Sequence, residues 1–288
     1  MFGFLNVNKP AGMTSHDVVA TVRRIAGRGV KVGHAGTLDP FATGVLVVCM
    51  GQACRLADYV QAQHKCYRAV VVLGATSATD DPEGPIAPTS GARPPAEDEI
   101  RAALLRLTGS IEQVPPAHSA IHIDGRRAYK LARAGKPVQP AARTVEVRRI
   151  DLLKYEYPRL EIEVQCGGGT YIRAIARDIG RITGAGGYCS ELTRTRIGLF
   201  TLDTAVELAK LDIARDLIPP LMALPDMPKF PFSPDEITAI MLGKPIPMPK
   251  GQSSASEAAL VDSGGRLIAI ARPSADGKSL RPIKVFPQ

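Results

Sequence analysis

Residues 33–44 of the chain read Gly-His-Ala-Gly-Thr-Leu-Asp-Pro-Phe-Ala-Thr-Gly. Three glycines in these twelve residues predict a loop that bends sharply and lets its backbone approach another group closely. Pro40 disfavours the helical conformation at Asp39, so this carboxylate is predicted to lie on extended or turning backbone. The apolar run at residues 45–50 predicts a buried strand. An acid on a tight loop beside a buried strand is held rigidly, as a catalytic group must be.

The sequence around Asp39 is strongly basic. Between residues 18 and 79 the only acids are Asp39 and Asp58, against seven Lys or Arg residues, a net charge of +5. Nearby positive charge lowers the pKa of a carboxyl group and keeps it ionised, which suits a nucleophile better than a general acid. An Asp-Pro turn without a chemical role is the alternative, because Asp is common in turns.

Residues 33–44 and three other segments of the chain occur in the order that one enzyme family shows. Residues 33–44 themselves closely resemble the signature of the bacterial tRNA pseudouridine synthase B (TruB) family. Residues 6–15, Asn-Val-Asn-Lys-Pro-Ala-Gly-Met-Thr-Ser, resemble its N-terminal motif. The Tyr-Arg pair at 67–68 and the Gly-Thr-Tyr-Ile-Arg segment at 169–173 also resemble family motifs. The resemblance covers nearly all of residues 3–200 and, more weakly, the C-terminus.

The resemblance implies an α+β fold. A pseudouridine synthase catalytic domain with a mixed, largely antiparallel sheet is expected over residues 1–228, with an RNA-binding insertion at about 110–145. A small C-terminal β-domain is expected over 229–288, where the family has an RNA-binding PUA domain. The residues themselves support this division, because six prolines between 218 and 234 indicate a linker. Short apolar runs and glycine turns after residue 235 predict short strands.

The resemblance also implies three catalytic residues. Asp39 is the essential nucleophile, Arg173 pairs with it, and Tyr67 stacks on the target base with its phenol as a candidate proton acceptor. The implied reaction converts uridine-55 in the T-arm loop of tRNA to pseudouridine, and attack at ribose C1′ and addition at uracil C6 both stay open. Without the resemblance, Arg173 is typical of a surface helix and Tyr67 of a packed strand.

Further residues are candidates for substrate binding. The target base lies inside a folded RNA loop, so the enzyme must flip it out at a cost of roughly a few kcal/mol. His34 is a candidate to occupy the vacated space, because imidazole can stack on bases and contact phosphate. By resemblance, Leu192 matches an apolar position of the base pocket. Tyr171 either shapes the same pocket or is a core residue.

A basic segment at residues 126–149 is predicted to contact phosphate. It carries eight Lys or Arg residues and one acid, a net charge of +7. Exposed helix faces normally mix both signs of charge, so Arg126, Arg127 and Lys130 are predicted to bind RNA. The whole chain, at +8 with a pI of about 9.4, also favours a polyanionic partner. His118 stands where the family more often has an aromatic residue, so RNA contacts there are expected to differ in detail.

Composition excludes other classes of protein. No apolar run approaches the ~20 residues of a membrane helix, and no signal peptide is evident. The five cysteines are scattered without a C-x-x-C pair, so neither a disulfide framework nor a zinc site is predicted. A reducing cytoplasm is the simplest location. His118 and His122 are four residues apart, but two prolines at 115–116 argue against a metal-binding helix. No cofactor is expected, because no nucleotide-binding loop is present and the isomerisation is redox-neutral.

Two alternative functions stay open. The chain could be a paralogue with the same chemistry on another RNA, such as an H/ACA-guided catalytic subunit. It lacks the long basic tail common in eukaryotic versions, and no obligatory protein partner is evident. The second alternative is an RNA-binding chaperone that helps tRNA to fold without using Asp39.

Three local predictions bear on the site. Ser15 is predicted to cap a helix that ends near Gly27. Residues 77–95 are rich in Pro, Asp, Gly, Ser and Thr and are predicted to form a surface excursion. A helix that starts at Thr170 or Tyr171 is predicted to end at Gly184.

Overall fold

The computed structural model describes residues 1–117, 140–249 and 257–287, together with the backbone of residues 122–123 and 126–127. The predictions for His118, Lys130 and most of the insertion concern residues outside these ranges, as do those for the side chains of Arg126 and Arg127. None of the described helices combines the length and apolar character needed to cross a membrane.

The described strands are β1 (Gly3–Lys9), β2 (Val32–His34), β3 (Thr43–Met50), β4 (Lys65–Leu73), β5 (Ala75–Ser77), β6 (Ile86–Pro88), β7 (Gly109–Gln113), β8 (His122–Ile123), β9 (Arg126–Arg127), β10 (Arg143–Glu156), β11 (Arg159–Cys166), β12 (Gly187–Ile197), β13 (Phe200–Thr201), β14 (Val206–Glu207), β15 (Lys229–Pro231), β16 (Ile246–Pro247), β17 (Ala258–Val261), β18 (Leu267–Pro273) and β19 (Ser279–Val285). The described α-helices are α1 (Ser15–Ala26), α2 (Ala57–Ala62), α3 (Glu97–Arg106), α4 (Ile172–Thr183), α5 (Ile213–Asp216) and α6 (Pro234–Met241). Short 3₁₀ turns cover Gly51–Leu56, Leu208–Lys210 and Pro220–Ala223.

One large sheet organises the described part of the chain. Its strand order is β14-β1-β3-β12-β4-β11-β10-β7, with β2 on β3 and β13 on β12. Most neighbours are antiparallel, whereas β1 with β14 and β3 with β12 are parallel. This confirms the predicted α+β class with a mixed, largely antiparallel sheet. Strand β12 lies between β3, which follows the loop at 33–44, and β4, which carries Tyr67.

Both faces of the central strands are covered. Alternate residues of β1 and β3, such as Leu5 and Val48, pack with α1, while their neighbours, such as Phe4 and Val47, pack on the opposite face. Every residue of β3 after Thr43 is buried. The apolar run at 45–50 is therefore a strand buried on both sides, as its continuous hydrophobicity predicts.

Helix α1 begins one residue earlier than the sequence suggests, because Thr14 rather than Ser15 is its N-cap. The Thr14 hydroxyl accepts from the backbone N–H of Asp17 at 3.1 Å, and the Asp17 carboxylate accepts from the Thr14 backbone N–H at 2.8 Å. This reciprocal capping box satisfies the first turn. The prediction that Ser15 caps the helix is wrong, and its buried hydroxyl is left to bind the loop at 33–44.

Helix α4 follows the glycine-rich turn at 167–169. It begins at Ile172 and ends before Gly184, whose φ of +70° is the left-handed conformation expected of a C-terminal glycine. Its apolar side packs with α3 under the sheet, through residues such as Ile175 and Ile179. The predicted helix is therefore observed, and its first turn lies near the loop at 33–44.

The prediction of a simple surface excursion at 77–95 is wrong for its first part. Ser77 and Asp81 are buried, and the Asp81 carboxylate and the Thr79 carbonyl both accept from Arg173 of α4. This turn is built by local bonds, in which Asp81 Oδ1 accepts from the Thr79 hydroxyl at 2.5 Å and from the Glu83 backbone N–H at 3.0 Å. Pro-, Gly- and Asp-rich composition indicates a loop, but it does not distinguish an exposed loop from one that supplies a buried acid.

A second sheet closes the C-terminal part of the chain, with the order β15-β17-β18-β19-β16. Strands β17 and β18 confirm the short strands predicted there. Residues Ala259, Leu267 and Phe286 share one apolar cluster with Phe4 and Val45 of the large sheet. The C-terminal sheet is thus packed on the back of the strand that follows the loop. Its PUA-like character and the domain boundary at 228/229 stay predictions.

Candidate active site

The loop at 33–44 presents its single acid at a half-open surface. Asp39 follows β2 and precedes β3, and its backbone carbonyl accepts from the Ala42 N–H at 3.2 Å in a tight turn. Its side chain is 31% exposed, whereas the neighbouring Leu38 is 4% exposed. The loop therefore buries its apolar residue and leaves one carboxylate accessible.

The structure brings Arg173 of α4 directly to this carboxylate. Its Nη2 donates to Asp39 Oδ1 at 3.0 Å, and its Nε lies 2.9 Å from Asp39 Oδ2. The guanidinium side chain is 3% exposed, so it reaches Asp39 from the protein interior. Parallel contacts from one guanidinium to both oxygens fix the orientation of a carboxylate as well as its charge.

A second aspartate shares the same guanidinium. Arg173 Nη1 donates to Asp81 Oδ2 at 2.8 Å and to the Thr79 carbonyl at 2.9 Å. Asp81 is only 4% exposed. One helical turn later, Arg177 donates to Asp80 at 3.0 Å, so consecutive aspartates meet arginines on one face of α4. Sequence reasoning missed Asp81, although the Asp80-Asp81 pair ends the acid-poor window at 18–79.

The pKa of Asp39 moves in the direction opposite to the one expected from sequence. Burial of the carboxyl group raises its pKa above the ordinary value, while the charge of Arg173 acts against that rise and the charge of Asp81 adds to it. The sequence prediction considered only the positive surroundings and omitted desolvation. Because both Asp39 oxygens face Arg173, the geometry accommodates the ionised carboxylate.

Tyr67 and Leu192 lie in the apolar cluster that adjoins Asp39. Both are buried, with 7% and 6% exposure, and they share this cluster with Leu38 and Ala42 of the loop. Burial raises the pKa of the Tyr67 phenol, and the nearby positive charge of Arg194 opposes that rise. Tyr67 is therefore protonated at neutral pH in a site that also contains an accessible carboxylate.

Three further residues, none predicted from sequence, hold the loop in place from elsewhere in the chain. Lys9 has no exposed surface, and its Nζ donates to the carbonyls of Met13 and Pro40 at 2.6 and 3.1 Å. The Ser15 hydroxyl accepts from the Leu38 N–H at 2.9 Å. Arg194 donates to loop carbonyls from β12. Lys9 and Ser15 belong to the segment at 6–15, which gives that motif a physical role: it holds Leu38 and Pro40 on either side of Asp39.

His34 and Tyr171 occupy the borders of the site. His34 is half-buried at the end of β2, where it pairs with Val48. Tyr171 precedes α4, and its backbone N–H and carbonyl both bind the side chain of Gln113. The Arg143 guanidinium lies 5.0 Å from the centre of the Tyr171 ring. Within the described residues, no group of three or more His, Cys, Asp or Glu side chains could hold a metal ion.

Comparison with known proteins assigns the chain to a family. Residues 23–172 match the sequence profile of the TruB family pseudouridylate synthase N-terminal domain, which is more than half of the chain. The chain belongs to the TruB family. It is accordingly a pseudouridine synthase, an isomerase, and the predicted family is confirmed.

Relatives extend the similarity over the whole length. A tRNA pseudouridine synthase B from Arthrobacter sp. (strain FB24) is 40% identical over 99% of this chain and 96% of its own. Another from Mycobacterium sp. (strain KMS) is 46% identical over 81% of this chain and 75% of its own. A solved H/ACA ribonucleoprotein bound to a substrate RNA containing 2′-deoxyuridine is 25% identical, with a TM-score of 0.75 over 100% of this chain and 86% of that one.

Proposed function

We propose that this protein converts uridine-55 in the T-arm loop of tRNA to pseudouridine, with Asp39 as the nucleophile. The observation that carries the proposal is the half-exposed Asp39 carboxylate, held by the buried Arg173 through contacts to both oxygens. An ionised and oriented acid at the protein surface is what a nucleophilic attack on an extruded nucleoside needs.

The reaction is balanced without any cofactor. The bond between ribose C1′ and uracil N1 breaks, the base turns, and a bond forms between C1′ and uracil C5. The proton on C5 leaves and N1 gains a proton, so no atom or electron is lost. Asp39 begins the sequence by attack at C1′ or by addition at C6. In either route its bond to the substrate breaks again before the product leaves, so the free carboxylate is regenerated.

The other site residues have distinct roles in this proposal. Arg173 keeps Asp39 ionised and aimed. Tyr67 packs against the target base, and its buried phenol has to give up its own proton before its oxygen accepts the C5 proton. Leu192 forms an apolar wall of the base pocket. His34 and Tyr171, at the borders of the site, contact the flipped nucleotide or the space that it leaves.

The choice of tRNA rests on relatives and on charge. The curated relatives at 40% and 46% identity are named tRNA pseudouridine synthase B. The basic segment at 126–149 supports a phosphate contact, with Arg126, Arg127 and Lys130 as its predicted binding residues. Residues 229–288 are proposed as a PUA-like unit beside the catalytic domain at 1–228. A cytoplasmic location is part of the same proposal.

A guide-dependent paralogue is the second candidate, favoured by one observation. The H/ACA ribonucleoprotein structure covers the whole of this chain at a TM-score of 0.75. Such an enzyme would need guide RNA or partner proteins to select its uridine. A chaperone that acts without catalysis is the third candidate and would need no reactive carboxylate.

One experiment separates these candidates. The purified protein alone is incubated with a T-arm stem-loop, with the same stem-loop carrying cytidine at the target position, and with an unrelated hairpin, and pseudouridine is mapped in each RNA. We expect modification at the target uridine of the first RNA only. Absence of product from the stem-loop and from whole tRNA would contradict the proposal, and modification of all uridine-containing hairpins would contradict the T-arm specificity.

A further inference from the structure

Among the residues that the structure describes, Arg194 is the largest fully buried side chain, with 1% of its surface exposed. A buried guanidinium is costly unless its donors are satisfied. Its three nitrogens meet carbonyl oxygens: Nε donates to Val45 at 2.8 Å, Nη1 to Thr37 at 3.2 Å and Nη2 to Gly36 at 3.0 Å. Two of these carbonyls belong to the loop that carries Asp39, and the third, that of Val45, belongs to β3, the strand that follows it.

The positions of these carbonyls matter more than their number. Gly36 and Thr37 begin the bend before Asp39, and Val45 lies just after the bend has ended. One planar guanidinium therefore joins the two ends of the loop. A lysine ammonium is a single point on a flexible stem and cannot span both ends with the same geometry.

The backbone of Arg194 is held between the same two partners. It pairs with Gly44 of β3 on one side and with Tyr67 of β4 on the other. The approach to Gly44 is close, since a Cβ there would lie 2.3 Å from the Arg194 carbonyl oxygen, and Gly44 has a φ of +98°. The last glycine of the loop is thus required by its contact with Arg194.

The charge of Arg194 also acts on the neighbouring tyrosine. It opposes the rise in the pKa of the Tyr67 phenol that burial causes. Arg194 therefore contacts the loop that carries Asp39 with its side chain and the strand that carries Tyr67 with its backbone. No other described residue has hydrogen bonds to both ends of the loop and a backbone pairing with Tyr67.

From these contacts we infer that Arg194 is a positioning residue, whose guanidinium sets the placement of the Asp39 loop relative to Tyr67. It acts through the loop and does not touch the substrate. The inference rests on the proposed function, because it assumes that Asp39 and Tyr67 act on the same nucleoside. Its effect belongs to the chemical step rather than to RNA binding.

The test compares Arg194→Lys, which keeps the charge, with Arg194→Gln, which removes it. Arg196→Met is the matched control, because Arg196 lies two residues along the same strand, is exposed, and donates to Cys66 Sγ at 3.2 Å without contacting the loop. For each protein, the RNA dissociation constant and the single-turnover rate of pseudouridine formation at saturating T-arm RNA are measured. Amide hydrogen exchange across residues 36–45 reports the loop directly.

In both Arg194 variants we expect the rate to fall by about 10²-fold, as for a misplacement of about 1 Å, with RNA affinity changed less than about threefold. Exchange in the loop should accelerate in both, and Arg196→Met should behave as the native protein. A native rate in Arg194→Lys would overturn the inference, since charge alone would then suffice. Loss of RNA binding in both variants would also overturn it, because Arg194 would then be needed for folding rather than for placement.

A parallel measurement on Asp39→Asn separates this inference from the proposed function. If Asp39→Asn forms pseudouridine, the proposed function fails regardless of the Arg194 results. If Asp39→Asn is inactive while Arg194→Lys keeps the native rate, only the role of Arg194 fails.

Discussion

Asp39 and Asp81 bind the same guanidinium from two different loops, yet their surroundings differ. Asp39 lies on a loop that is held by residues distant in sequence, and its side chain is 31% exposed. Asp81 lies on a loop that largely holds itself through Thr79 and Glu83, and its side chain is 4% exposed. Both carboxylates lie within 3.0 Å of a nitrogen of Arg173.

Under the proposed function, this difference separates the reactive acid from the structural one. A carboxylate that is buried, hydrogen-bonded and paired has no open face for a substrate, whereas one that is oriented from behind keeps its outer side free. The buried Asp81 fixes Arg173, and Arg173 in turn fixes Asp39. Under the proposed function, one aspartate positions the cation and the other faces the RNA.

Replacing the shared cation should have the largest effect on this arrangement. In Arg173→Lys, the single ammonium should stay with the buried Asp81, because an unpaired buried carboxylate is costlier than a half-exposed one. Asp39 then loses its orientation, and the single-turnover rate should fall by about 10³-fold while the fold persists. A rate within about tenfold of native, measured at saturating RNA, would show that the paired contacts to Asp39 are not needed.

Neutralising the buried aspartate should have a smaller effect. Asp81→Asn keeps the shape of the side chain but removes its charge, so we expect a loss of about 1–3 kcal/mol in unfolding free energy and roughly a tenfold lower rate. The negative charge of Asp81 contributes to the raised pKa of Asp39, so that pKa should fall in the variant. The acidic limb of the pH–rate profile should move to lower pH; movement to higher pH would contradict the assignment.

The buried Lys9, which holds the Asp39 loop, predicts that the unfolding free energy depends on pH between about 8 and 10.5. Burial lowers the pKa of Lys9 from 10.5 to about 8, and Lys65, on β4, shows the same shift. Below pH 8 both lysines are charged in folded and unfolded chains, and the cost of burying the charge is fully present. As pH rises from 8 towards 10.5, the two lysines lose their protons in the folded state before they do in the unfolded state. The free energy of unfolding therefore rises over this range.

Lys9→Met and Lys65→Met should each lose part of this rise in unfolding free energy, up to about 3 kcal/mol per lysine. Urea unfolding of each variant between pH 8 and 10.5 measures the loss. Only Lys9→Met should also lower the rate, because Lys9 binds the Pro40 carbonyl whereas Lys65 binds the carbonyls of Gln61 and Gln63. Equal effects of the two variants on the rate would show that Lys9 does not position the loop.

The smallest effect is expected outside both loops, in the basic segment at 126–149. Arg126→Gln with Arg127→Gln should weaken tRNA binding by about tenfold and reduce the slope of log K against log salt by about 1.4–1.8. The rate at saturating tRNA should not change. A matched pair, Arg93→Gln with Arg101→Gln, removes arginines that are already paired with Glu99 and Glu97 and should leave the slope unchanged. An unchanged slope in the first pair would exclude this segment from the interface.

The sequence predicts elements that depend on local pattern. The loop at 33–44, the buried strand after it, and the helix that carries Arg173 all follow from glycine, proline and apolar spacing. The pattern does not predict which residues from distant parts of the chain contact one another. Composition predicts an exposed loop for the segment that holds Asp81, because composition does not reveal which way a loop folds.

The anchors of the loop were missed for a related reason. Lys9, Ser15 and Arg194 bind backbone carbonyls or amides, and backbone groups carry no mark in the sequence. Even the resemblance of residues 6–15 to a family motif gave no physical reason for a buried lysine. The upward direction of the Asp39 pKa was missed because desolvation depends on packing, which the charge count does not include.

A single-turnover comparison decides whether Asp39 is the nucleophile. Native protein and Asp39→Asn are each saturated with the T-arm stem-loop, equal RNA occupancy is verified, and pseudouridine formation is followed in a single turnover. We expect the variant to bind the RNA as the native protein does and to form no pseudouridine. Product formation by the fully occupied variant, at a rate near that of the native protein, would contradict it.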